Sequence, residues 1–189
     1  MRTLMIRSLQ VALVVAVVAV GWYSYHAQWG APATAATLGP GPVLGPAGIA
    51  KIRLGMTADE ANATGNIRYR PVWPTTEGRQ NCASLVTAEG AVFHFSRTYG
   101  LAGITAPDGV RTPEGIGMGA TLAQLRAAYP KVHQLDVGRP GRPVRMAGEY
   151  IAPVPANPAA SYRFVFDVNG VRFVSLALDD QGEECTSGR

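Results

Sequence analysis

Apolar and polar positions divide the chain into stretches of different character. Ser8 to Tyr25 contains no charged residue and no histidine, and Val11 to Val20 is an unbroken run of Val, Ala and Leu. A membrane span needs roughly 17–25 largely apolar residues, so this run reaches the lower bound. Arg2 and Arg7 precede it, and Trp22, Tyr23, Tyr25 and Trp29 follow it. Positive charge before the run and aromatics after it predict a single transmembrane helix within 1–29, with the N-terminus in the cytoplasm. A cleaved signal peptide is the competing reading. It wants small residues soon after the apolar run, and Ala31 to Ala36 starts late for that. Either reading places the remaining chain outside the cytoplasm. Residues 30–48 are rich in Gly, Pro and Ala and have no period, which predicts a flexible linker.

From residue 49 onward the pattern becomes periodic. IRLGMTADEA (Ile52 to Ala61) and IGMGATLAQL (Ile116 to Leu125) place Gly55 with Gly119, Thr57 with Thr121, and Glu60 with Gln124. Each copy holds Thr-x-x-[Glu/Gln], whose two side chains satisfy each other's backbone N–H groups at a helix start. The first helix is expected to end at Gly65 and the second before Pro130. Alternating runs follow each helix: CASLVTA, AVFHFS and LAGITA after the first, SYRFVFDV and VRFVSLAL after the second. Asn169-Gly170 between the last two predicts a two-residue hairpin turn. That register pairs Phe166 with Phe173 and Asp167 with Arg172, and puts Tyr162, Phe164, Phe166, Val171 and Phe173 on one face. The expected fold class is α+β: an N-terminal transmembrane helix, a linker, and two tandem helix-plus-antiparallel-meander repeats at 49–110 and 111–189.

Composition narrows the partners. An apolar share of 47% suits a globular chain. The net charge is +4, and Arg2 and Arg7 contribute part of it, which leaves the exported region too balanced for a nucleic-acid binder. Cys82 and Cys185 are the only cysteines. They lack metal-ligand spacing, so no zinc site is expected; outside the cytoplasm they are expected to form one disulfide.

The Gly-Met-Thr helix start followed by a meander, carried by Leu54 to Ala61 and more weakly by Gly119 to Leu125, resembles the beta-lactamase-inhibitory-protein-like superfamily. That group is itself similar to SmpA/OmlA-type envelope lipoprotein domains. The resemblance implies a non-catalytic extracytoplasmic module that presents its sheet to a protein partner. Known inhibitory members carry a disulfide within each repeat, whereas Cys82 and Cys185 lie far apart, and no inhibitor contact residue matches.

Candidate chemistry is sparse. His26, His94 and His133 have no recognisable nucleophile motif beside them. Gly115, Gly117 and Gly119 lack the strand before and the Gly-Lys-Ser/Thr after that a phosphate loop requires, so they read as a turn into a capped helix. Asp179, Asp180, Glu183 and Glu184 lack EF-hand spacing. No catalytic, cofactor or metal residue is assigned, and no cofactor is expected. Two features suggest partner contact: Trp73 within RPVWP, and Arg139, Arg142 and Arg145 within GRPGRPVR. The expected function is a membrane-anchored, extracytoplasmic, non-enzymatic module that binds an unidentified protein or associates with the envelope, with no nucleic acid involved. The alternatives are a small hydrolase and a passive structural component of the envelope.

Overall fold

The computed structural model describes residues 42–74, 81–135, 148–181 and 185. The apolar run Ser8 to Tyr25, His26, most of the expected linker, and Arg139, Arg142 and Arg145 lie outside these residues. No helix among the described residues is long and apolar enough to cross a membrane.

The expected α+β class does not hold for the described residues. They contain ten strands against two short α-helices and one 3-10 turn, and seven of the strands form a single antiparallel sheet. Three strands of two residues each open the fold: β1 (Leu44–Gly45), β2 (Gly48–Ile49) and β3 (Ile52–Arg53). Helix α1 (Ala58–Ala63) follows, then β4 (Cys82–Val86), β5 (Val92–Ser96) and β6 (Gly100–Thr105). Helix α2 (Leu122–Ala128) leads to β7 (His133–Leu135), β8 (Gly148–Val154), β9 (Asn157–Asp167) and β10 (Gly170–Leu178). The large sheet runs β4-β5-β6-β10-β9-β8-β7. The two meanders share one sheet, joined where β6 pairs with β10. Each helix buries a single residue, Ala61 or Leu125. Helices this short depend on packing for their stability, and here they close corners of the sheet and form no layer of their own.

The linker expected at 30–48 also ends earlier than its composition implies. Leu44, Ile49 and Ile52 are fully buried in the core. Leu44 N–H donates to the Arg111 carbonyl at 2.9 Å, and its own carbonyl accepts from the Tyr162 hydroxyl at 2.8 Å. Asn157 Nδ2 donates to the Pro46 carbonyl at 2.7 Å. These bonds bring the first three strands onto the inner face of the large sheet, where Phe93, Phe95, Tyr162 and Phe164 form the core.

Both helix starts carry complete capping boxes. Thr57 accepts from Glu60 N–H at 3.2 Å, and Glu60 Oε2 accepts from Thr57 N–H at 2.8 Å. Thr121 and Gln124 repeat this at 3.2 and 2.8 Å. Each corner is then fastened to the last strand of its meander. Gly55 N–H donates to the Leu101 carbonyl and Leu101 N–H to the Met56 carbonyl; Gly119 N–H donates to the Val171 carbonyl and Val171 N–H to the Ala120 carbonyl. Gly100 and Gly170 open those strands at positive φ. A Cβ on Gly100 would lie 2.4 Å from the Gly55 carbonyl oxygen, and one on Gly170 2.7 Å from that of Ala120. Glycine is required at both places because a neighbouring backbone already occupies the space.

Candidate functional site

The last hairpin decides what the sheet shows to solvent. Its turn is Val168-Asn169, one residue earlier than the Asn169-Gly170 turn expected, so Gly170 faces Asp167 and Val171 faces Phe166. Asp167 Oδ1 accepts from Asn169 N–H at 2.7 Å, and no Asp167–Arg172 ion pair forms. The register then shifts, and Phe173 faces Val165. Arg172 is the extra residue of this bulge. An odd insertion sends every later side chain to the opposite face. Val174 and Leu176 enter the core, while Phe173 turns outward and is 43% exposed. The expected grouping of Phe173 with Phe164 and Phe166 is thereby corrected.

The outer face around Phe173 is mixed and partly open, with Ser175, Thr105, Arg163 and Glu149 interleaved among its apolar residues. Val165 lies directly across from it. Val92 and Ile151 are half-buried on neighbouring strands, and Val86 on the edge strand is 65% exposed. Within this field Arg163 and Glu149 approach to 3.7 Å, and Arg172 places its guanidinium 5.3 Å from the Phe173 ring centroid. A large, partly exposed aromatic with apolar and charged groups beside it is a composition found in protein-docking patches. Sequence period alone grouped Phe173 with Phe164 and Phe166 on one face, because a bulge leaves no mark in the alternation.

The other candidates resolve as follows. Cys82 and Cys185 are bridged, with Cα atoms 5.4 Å apart, and the bond fastens the C-terminal segment to β4. Trp73 is half-buried, packs on the core, and is capped by Arg97 at 4.4 Å. Gly115 to Gly119 form the turn into α2, where Arg111 Nη1 donates to the Gly115 carbonyl at 3.0 Å. Asp179 and Asp180 sit in the 3-10 turn, and no group of metal-binding residues occurs among the described residues.

Comparison with protein-family models, curated proteins and solved structures finds no match.

A cleft of about 540 Å³ lies beside α2, lined by Arg111, Glu114, Met118 and Gln124 among others. Its polar groups are already engaged. Arg111 holds the turn, Gln124 closes the capping box, and Tyr129 donates to the Glu114 carboxylate. Burial and that hydrogen bond push the Tyr129 phenol well above its ordinary range, so it remains a donor at any physiological pH. The cleft is the space beneath a braced corner. Ser84 Oγ and His94 Nδ1, cross-strand neighbours on the outer face, lie 3.0 Å apart. Burial lowers the His94 pKa, which keeps the imidazole neutral near pH 7. Among the described residues no carboxylate hydrogen-bonds this histidine, so the pair lacks the orienting third group of a catalytic triad.

Proposed function

We propose that this chain is a non-catalytic, extracytoplasmic protein-binding module whose docking surface is the outer sheet face around Phe173. The observation that carries this reading is the bulge at Arg172, which turns Phe173 outward and leaves it 43% exposed. Exposed apolar surface rimmed by polar residues marks interaction sites on folded proteins. The Cys82–Cys185 bridge fits an oxidising compartment, and the apolar run Ser8 to Tyr25 fits delivery to or across the cytoplasmic membrane. The partner is a protein that presents a complementary apolar surface with a polar rim.

Affinity purification from the native cell, comparing wild type with Phe173→Glu, tests the reading. Wild type should retain a protein that the variant loses at unchanged folding stability. Retention of the same proteins by both would move the docking site elsewhere.

A further inference from the structure

The two ends of the large sheet are not equivalent, although their neighbours are. Phe93 pairs with Ile104 and Phe164 with Val174. Leu85 pairs with Phe93 as Tyr150 pairs with Phe164. By this correspondence β4 stands in the first meander where β8 stands in the second. Beyond β8 the sheet continues: β7 pairs antiparallel with it, Gln134 opposite Tyr150 and Leu135 opposite Glu149. Beyond β4 it stops. At the spacing that separates Thr57 from Thr121, the segment corresponding to His133–Leu135 is Tyr69, Arg70 and Pro71. Pro71 has no N–H to give a ladder. Tyr69 is held by Asn62 instead: its N–H donates to Asn62 Oδ1 and its carbonyl accepts from Asn62 Nδ2, both at 2.7 Å.

The hydrogen-bond parity of β4 shows what is left open. Arg97 N–H donates to the Asn81 carbonyl, and Thr87 N–H to the Ala91 carbonyl. Odd positions therefore bond inward to β5, and the N–H and C=O groups of Cys82, Ser84 and Val86 point out of the sheet. Among the described residues these backbone groups have no partner. The edge also lacks the devices that protect such strands: β4 reads CASLV, with no Pro, no charge and no bulge. The disulfide does not cover it, because Cys82 alternates with the inward-facing Ala83 and Leu85 and its side chain therefore leaves on the outer face.

We propose that this edge is completed by β4 of a second copy of the chain, antiparallel and centred on Ser84. The orientation is the one β7 adopts on β8. In that register Ser84 faces Ser84, Val86 of each copy faces Cys82 of the other, and Leu85 faces Ala83. Every facing pair is apolar with apolar or hydroxyl with hydroxyl, no like charges meet, and the buried inner row continues from one copy into the next. The inference goes beyond the outer-face reading and does not depend on it.

Sedimentation equilibrium of the full-length oxidised chain in density-matched detergent, over a concentration series, is the test, together with amide exchange at Ser84 and Val86. The expected result is a dimer mass for wild type and for Phe173→Glu, with both amides protected. Ser84→Pro removes an outward N–H and no ladder bond, at the cost of the Ser84–His94 side-chain hydrogen bond, and is expected to be monomeric. If that variant does not fold, Val86→Lys, which places a charge on the edge, decides in its place. A monomer at every concentration with rapidly exchanging amides would overturn the proposal, as would a dimer that survives these substitutions.

Discussion

Thr105 and Ser175 face each other where β6 meets β10, and each lies equally far along its strand from the glycine that opens it. Gly100 and Gly170 are those glycines, and each presses against a capped corner, Gly55-Met56 or Gly119-Ala120. The register irregularities correspond as well: Ala102 is passed over between Leu101 and Gly103, and Arg172 between Val171 and Phe173. The junction of the two meanders is thus locally two-fold, and the halves diverge in what they carry. Gly103 stands on the outer face where the other half places Phe173.

Both glycines are expected to resist substitution. Ala at either site combines a disfavoured φ with a Cβ closer than 3 Å to a carbonyl oxygen. Each change should destabilise the fold by more than about 1 kcal/mol, read by chemical denaturation. Gly109, also at positive φ but with open space around it, should lose less.

Thr57→Ala and Thr121→Ala should each cost roughly 0.5–2 kcal/mol, because each leaves a first-turn N–H without its acceptor. Thr→Ser at either position should be nearly neutral. Denaturation curves of the four variants check this; a loss at one corner with none at the other would contradict their equivalence.

Acid should separate the two corners. Hydrogen bonds from the Thr57 backbone and hydroxyl hold the Glu60 carboxyl below its ordinary 4.5. A depressed folded pKa means that the stabilisation is fully present above pH 4.5 and is lost as the pH falls through the lower folded value. Gln124 has nothing to titrate. The Thr57 amide resonance should therefore shift along Glu60's titration, with an inflection below pH 4.5, and the Thr121 amide should not follow it. The same inflection in both would mean that a global acid transition is being read.

Local signals were the legible part of this chain. The capping boxes at Thr57 and Thr121 and the pairing of Cys82 with Cys185 depend on a few residues and their compartment, and their chemistry is written in residue type. Leu44 was not legible, because Gly and Pro around it lower propensity without preventing three two-residue strands from docking on a core formed elsewhere. The pairing of β6 with β10 joins distant segments and leaves no local pattern. Phe173 was misplaced by a single residue of turn register and a bulge, both set by how closely Gly170 approaches the α2 corner.

The two faces of β9 and β10 should differ sharply on truncation. Phe164 is fully buried, and Phe164→Ala should cost about 3–5 kcal/mol. Phe173→Ala, on the open face, should stay within about 1 kcal/mol of wild type. Equal losses at both would return Phe173 to the core.

Site-specific photo-crosslinking in the native cell addresses the outer face most directly. A photoreactive phenylalanine analogue at position 173 should yield a covalent adduct with another protein, and the same group at the buried Phe166 should yield none. No adduct from position 173, with the protein folded and bridged, would contradict a docking role for the outer sheet face.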